Sequence, residues 1–539
     1  MPDRESRTLS YRRNLSLATG IVLACIHLSA GAAASSAGAA GESGAAPESS
    51  FAVAGEVWTS PAFPSGAATP RDDNTLAGIY GLALRNDPVL AVAEASYRVG
   101  QEQKRIGLAG LLPQVNGSYA IDSVEQEARG GFAIGPQVIS SDTDSEIEQD
   151  QWSINLEQPV FDLPAWFSFR QGSELSEQAA ATFSQAQQDL IVRVINAYTQ
   201  VQRAGANLEA SGAQVEAFDG QLEQVRQRFD VGLVAITDVL DAEAAYDNAI
   251  ADQIADSAAL DVALEQLSVI TGQQHAEVWK LRDEFPVDDP TPDAMDDWVA
   301  FALEHNVDLT VAELGRDATL QAARAAAAQH LPRVTLGLSR RSSDSEIDQT
   351  DLNTFNRDGS PNPFFGVTTP FTRDQDVDSI TLSVTVPVFS GGRISAQRRQ
   401  AYARLDGSTY DYERTRRAIT QQTRAFYINV KRDVARTQAR ARAIASTQSA
   451  LEAAQVGYEV GTRNVVDVLN AQRAVFSAIR DHSNSIVDFV QDVVQLKRQA
   501  GILTPADVLE LDRWLRKPSA PTASVRGVGG ARESAAIGE

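Results

Sequence analysis

One segment of this chain occurs twice. RFDVGLVAITDVLDA at Arg228–Ala242 returns without a gap as GYEVGTRNVVDVLNA at Gly457–Ala471, so that Val231, Gly232, Asp238 and Leu240 stand 229 positions before Val460, Gly461, Asp467 and Leu469. A self-similarity at this spacing constrains the fold before any other feature: the chain is built from two copies of one structural unit. Each copy reads as a helix end, a turn and a helix start. Gly232 and Gly461 stand where a chain turns left-handed past a helix C-terminus. Thr237 or Asn464 then offers an N-cap, with Asp238, Asp241 and Asp467 in the first turn that follows. Taken alone, such acids do no more than complement a helix dipole, worth roughly 0.3–1 kcal/mol each.

The repeat extends well beyond this motif. Leu84, Leu90, Glu94 and Leu112-Pro113 match Leu303, Leu309, Glu313 and Leu331-Pro332 at an offset of 219, whereas Gln158-Pro159-Val160-Phe161 matches Val386-Pro387-Val388-Phe389 at 228. The change in offset places a net insertion between the Leu-Pro and the Pro-Val-Phe of each half. The expected organisation is an export signal at 1–34, a disordered linker at 35–71, a first repeat at 72–288, a second at 289–516 and a disordered tail at 517–539. The signal rests on Arg4, Arg7, Arg12 and Arg13 ahead of an apolar run, Leu15–Leu28, with small residues following. Cys25 would leave with the signal; the alternative, that it is a lipidation site, is poorly served by Leu23 and by the apolar residues after it.

Composition excludes several classes of function. A net charge of −24 argues against nucleic acid as a partner. The single cysteine removes internal disulfides and cysteine metal clusters, and the five histidines are scattered, without HExxH. GxSxG and a P-loop are both missing from the sequence. The expectation is a protein that is not an enzyme and uses no cofactor and no metal.

Within each half the pattern reads helix, two strands, long helix, helix. Thr75–Leu111 is helical in character until Pro113. Alternation then takes over at Val115, Gly117, Tyr119 and Ile121, and again at Trp152, Ile154 and Leu156. The second half alternates at Val334, Leu336 and Leu338 and from Ile380 to Val388. Period two over about ten residues is the length of a tilted membrane strand. Polar, acidic stretches (Ser140–Asp150, Ser342–Asp351, Thr372–Asp378, with Pro361–Phe365) read as the loops joining paired strands. Trp166–Phe229 carries no proline and predicts a helix of roughly 96 Å, with Gly392–Gly461 as its counterpart. The helix Asp238–Gly272 shows an apolar seam at Ile250, Ile254, Leu260, Leu264, Leu267 and Ile270. Four strands per chain cannot close a barrel, and open edges are not tolerated in a bilayer. Eight-stranded barrels are filled by side chains, so an open lumen from this chain calls for three copies.

Phe229–Val239 and Gly457–Arg463, with Leu-Leu-Pro-Gln, Pro-Val-Phe and Gly-Gly-Arg in order, closely resemble the TolC family of outer-membrane exit ducts over roughly residues 72–515. The resemblance implies a mostly helical homotrimer with membrane β structure. A twelve-stranded barrel in outer-membrane lipid would continue into a twelve-helix α-barrel of coiled coils across the periplasm. It implies a periplasmic adaptor and an inner-membrane pump of the ABC, RND or MFS type as partners, for drug efflux or type I secretion. It also carries roles onto particular residues. Thr237, Asp238, Tyr458 and Arg463 would link neighbouring coils at a closed periplasmic gate, and Asp467 would form an acid ring at its mouth. A second ring falls on Asn470, a departure from the family pattern, with Asp241 as an acid on the matching turn. Two readings compete: a periplasmic adaptor, which would need a single hairpin between lipoyl-like half-motifs, and a secreted coiled-coil rod.

Overall fold

The computed structural model describes residues 73–134, 137–282, 284–351, 360, 363 and 365–517. The export signal with Cys25, the linker, the tail from 518 and most of Pro361–Phe365 lie outside the described residues. The first half contains α1 (Leu76–Asn86), α2 (Pro88–Ala109), β1 (Gln114–Ile134), β2 (Gln137–Phe161), α3 (Leu163–Asp230), α4 (Ile236–Thr271) and β3 (Lys280–Leu281). The second contains α5 (Met295–His305), α6 (Val307–Ala328), β4 (Arg333–Asp351), β5 (Thr368–Thr385), α7 (Arg393–Glu459), α8 (Val465–Gln499), α9 (Pro505–Asp512) and β6 (Leu515–Arg516).

Each half opens on two helices, where the sequence predicts one. Pro88 has no N–H to give and holds the residue before it out of the helical region, so the chain breaks at Asp87. The Asp87 carboxylate then caps α2 by accepting from the Leu90 N–H at 2.9 Å. The second half breaks at Asn306, 219 positions on, without a proline. Its amide oxygen accepts from the Leu309 N–H at 3.1 Å.

The four long strands form one antiparallel sheet in the order β1-β2-β4-β5. They run 21, 25, 19 and 18 residues, about twice what spans a bilayer. The acidic stretches predicted as loops are therefore strand. Backbone pairing continues through them in register whatever the side chains, because each N–H and C=O finds its partner in the ladder. Residues directly opposite one another share a face. Val115, Leu156, Leu338 and Ile380 form one row across all four strands, flanked on the same face by Leu336 with Leu382 and Val334 with Val384. The opposite face carries Asn116, Asn155, Ser339 and Ser379 in one row, with Ser118 and Ser153 hydrogen-bonded at 2.9 Å in the next. One face is apolar and the other polar at the helix-proximal end. Farther out, the apolar face turns acidic at Asp150, Asp344 and Asp374.

Beneath the sheet, α3 and α7 extend 68 and 67 residues, each roughly 100 Å at about 1.5 Å per residue. α3 is central and packs on α2, α4, α6 and α8, whereas α7 meets α6, α8 and the short α5. Small residues set the spacing. A Cβ on Gly172 would lie 2.4 Å from the Gln103 carbonyl oxygen, so α2 and α3 touch backbone to backbone. The predicted apolar seam of α4 is only partly the buried one. Leu267 is buried together with Ala242, Ala245, Ala249 and Ala263, which lie outside that seam, and Ile254 is exposed. Close approach to α3 favours methyls over larger side chains. The halves are tied by β3 pairing with β6, an antiparallel contact of Leu281 with Leu515 that the sequence reading did not foresee, nor did it foresee α9. Among the described residues no helix is long and apolar enough to cross a membrane.

Candidate functional site: the paired turns at the helix tips

The two copies of the opening motif are the two turns that end the long helices. In the first, Gly232 adopts φ 77° and the Leu233 N–H reaches the Arg228 carbonyl at 2.9 Å. α4 then begins at Ile236 with Ala235 as its N-cap and no side-chain bond there. Thr237, predicted as the cap, is already inside the helix and exposed. The second turn is better tied. Gly461 has φ 80°, and the N–H groups of Thr462 and Arg463 both donate to the Gly457 carbonyl, at 2.8 and 3.1 Å. Asn464 caps α8 as predicted, accepting from the Asp467 N–H at 2.9 Å, and the Asp467 carboxylate accepts from the Asn464 N–H at 3.4 Å. One Asp467 oxygen is thus engaged in a capping box.

A single apolar cluster lies under both turns. Phe218, Leu222 and Val225 of α3 meet Val239 and Ala242 of α4, Tyr458 of α7, and Val465, Val468 and Leu469 of α8. Tyr458 is the polar member. The Arg228 guanidinium sits over its ring at 4.7 Å from the centroid. Its hydroxyl is buried and has no hydrogen-bond partner among the described residues.

The remaining predicted residues are not linked to one another within this chain. Thr237 and Arg463 are exposed and Asp238 is half-buried. Asp241 is exposed on α4, and exposed Asn470 on α8 accepts from Arg473 at 3.2 Å. Sequence reasoning missed Arg228, Gly457 and Arg473. The signal for the first two was present, since Arg228 aligns with Gly457 in the repeat. A Cβ at Gly457 would stand 2.8 Å from Arg463 Cγ, so glycine there makes room for that side chain. At the crest, Val231, Leu233 and Val460 expose apolar surface to solvent. Among the described residues no group of three His, Cys, Asp or Glu side chains could hold a metal.

A two-faced four-stranded sheet set on long paired coils that end in twin glycine turns is the architecture of an outer-membrane channel subunit. The chain belongs to the outer membrane efflux protein family, whose model matches residues 79–273 and 298–501. It is 31% identical over 445 residues to outer membrane protein TolC of Vibrio cholerae, covering 82% of this chain and 94% of the relative. It is 28% identical over 436 residues to the alkaline protease secretion protein AprF of Pseudomonas aeruginosa, covering 80% and 85%. The fold is also that of the outer membrane protein VceC of Vibrio cholerae, with a TM-score of 0.61 at 20% identity over 79% of this chain and 96% of the other. The Neisseria gonorrhoeae MtrE channel in its open state gives 0.57 at 18% identity, over 80% and 90%. The protein is an outer-membrane exit duct of this family.

Proposed function

We propose that three copies of this chain close on one another as a twelve-stranded barrel continuous with a twelve-helix periplasmic barrel, the exit duct for drug efflux, type I secretion or both. The observation that carries this is a pair of matching open edges. The sheet runs β1-β2-β4-β5 and the helices run α2–α3–α6–α7, so both layers begin and end on corresponding elements. Among the described residues β1 and β5 each keep one edge unpaired. Along α2, Val92, Val99 and Ile106 recur at seven-residue spacing and are exposed, the pattern of a coiled-coil seam without its partner. A head-to-tail contact that closes as a ring satisfies both edges at once. A periplasmic adaptor or a secreted rod gives no reason for a sheet with one apolar face.

The tips would be the gate, opened when a periplasmic adaptor and an ABC, RND or MFS pump dock. The exposed crest (Val231, Leu233, Val460) gives such a partner apolar surface. Thr237, Asp238, Tyr458 and Arg463 would link neighbouring coils; Thr237 and Arg463 are exposed for such links, whereas the Tyr458 hydroxyl, buried without a partner among the described residues, would join them only as the tip repacks against a neighbouring chain. Asp467 would supply three carboxylates at the mouth and favour cations. Asn470 with Arg473 replaces a second ring, and Asp241 restores part of the charge.

The test is single-channel conductance in planar bilayers of the wild type against Tyr458→Phe, Arg463→Ser. A small cation-selective current that rises severalfold in the double variant is expected. Equal currents would remove the gate assignment, and no pore from correctly assembled protein would remove the duct.

A further inference from the structure

The repeat supplies an internal control for one buried feature that the duct does not explain. At the offset of 229, Asp433 of α7 and Asp492 of α8 align with Ala204 of α3 and Ala263 of α4. Both alanines are buried in the main apolar core. One hairpin of the chain therefore closes at this level on methyl groups, and the other on two carboxylates.

The Asp433 side chain is fully buried. Its Oδ1 accepts from Arg432 Nη2 at 2.9 Å, while its Oδ2 has no hydrogen-bond partner among the described residues. Asp492 Oδ2 lies 3.5 Å from that same Arg432 nitrogen, so both carboxylates converge on one donor. The surrounding charges do not supply the missing one. Arg436 Nη1 is 3.9 Å from Asp433 Oδ1 and its other terminal nitrogen pairs with Asp488. Arg203, the charged group facing this site from α3, bonds Asp488 at 2.5 Å. Arg440 is paired with Asp481 one turn further along the hairpin, and Lys431 points the other way, to Asp293 and Asp289.

A buried carboxylate oxygen without a donor is costly, and a second carboxyl beside it can supply the donor only by holding a proton. We infer that Asp433 and Asp492 act as a proton-operated catch: a shared proton fastens α7 to α8, and its loss loosens this hairpin while the alanine-lined α3–α4 hairpin is unaffected. Burial, and then the neighbouring Asp433 carboxyl, push Asp492 from its ordinary 3.8 up to about 6. The sign follows from a value raised in the packed state. The stabilisation is complete below about pH 4, fades as pH climbs through about 6 and is gone above it. Between pH 5 and 7.5 the closed-to-open ratio of this helix pair falls about tenfold on those values. The catch lies within one chain, so it stands independently of how many chains form the duct.

Hydrogen–deuterium exchange of the α7–α8 backbone in the full-length protein, corrected for intrinsic exchange, reads this ratio directly. The wild type should open about tenfold more often at pH 7.5 than at pH 5. Asp433→Ala with Asp492→Ala, which installs the first-repeat pair, should lose the step, and Asp492→Asn, whose amide donates at every pH, should lose it too. The α3–α4 segment serves as the unchanging reference. An equal pH step in the wild type and in both variants would overturn the catch, as would no step in the wild type.

Discussion

The Arg228 guanidinium lies 4.7 Å from the centroid of the Tyr458 ring and so joins the tip of the first repeat to the tip of the second. No other charged side chain is stacked on that ring among the described residues. Arg228→Ala should cost about 0.5–2 kcal/mol, the range for a cation over an aromatic face at a part-covered site. Arg228→Lys should fall between, because the ammonium keeps the charge but loses the flat stacking surface. Chemical denaturation of the three proteins checks the order. If the tips also form the gate, conductance should rise in the same order.

Gly457 and Gly461 lie four residues apart and should fail in different ways. At Gly457 an added Cβ meets the base of the Arg463 side chain, 2.8 Å from its Cγ, with Thr462 Oγ1 at 3.4 Å. Arg463 must turn at its first side-chain torsion to clear the methyl, a cost that the gain of alanine over a helical glycine offsets, so Gly457→Ala should leave unfolding nearly unchanged and raise the channel current. At Gly461 the added Cβ meets nothing, but φ is 80°, and a left-handed non-glycine residue costs roughly 1–2 kcal/mol. Gly461→Ala should lower stability by that amount, and Gly461→Asn by less. Melting temperature and conductance, measured on both variants, separate the two effects.

Much of this molecule was legible because it is said twice. The repeat located both turns, the long helices and the strand pairs, since each weak local signal was corroborated by its copy. The breaks at Asp87 and Asn306 show what was lost: the first was legible in Pro88, which the reading passed over, and the second rests on one cap residue inside a pattern that still reads as continuous. The strand extensions were missed for a different reason. Acid-rich sequence resembles a loop when strands are sought by apolar alternation, yet a ladder needs only backbone partners, and Gln149 bonded to Ser343 at 2.7 Å joins two such segments. At the tips, Tyr458 was named through the resemblance to the family. The sequence could not name Arg228, because that contact crosses between repeats rather than running along either.

The first cap offers a direct comparison with its copy. Asp87 caps Leu90 and also takes both terminal nitrogens of Arg193, at 2.6 and 3.3 Å, while its own side chain is almost fully buried. Asp87→Ala removes the cap and strands the guanidinium, a loss on the order of 3–5 kcal/mol. Asp87→Asn keeps an acceptor for the cap, as Asn306 does in the second half, and should cost distinctly less. Asn306→Ala, with no ion pair to break, should fall near the usual cap loss of about 1 kcal/mol plus its bond to the Gln499 carbonyl. Urea titration of the three variants tests the ranking. Equal losses for Asp87→Ala and Asp87→Asn would mean that the ion pair, not the cap, fixes this break.

Glycines within α3 allow packing and propensity to be told apart inside one helix. Gly172 faces the Gln103 carbonyl so closely that even a methyl would stand 2.4 Å away, against backbone that cannot step aside. Gly205, 33 residues along the same helix, has nothing within 4 Å of an added Cβ. Alanine at Gly205 relieves the entropic cost of a helical glycine and should stabilise by roughly 0.5–1 kcal/mol. Alanine at Gly172 gains the same propensity but must separate α2 from α3, and overpacking of that kind costs about 1–3 kcal/mol or more. The net effects should have opposite signs. Thermal unfolding of Gly172→Ala and Gly205→Ala decides it, and a stabilised Gly172→Ala would mean that α2 is held less tightly to α3 than their backbone contact implies.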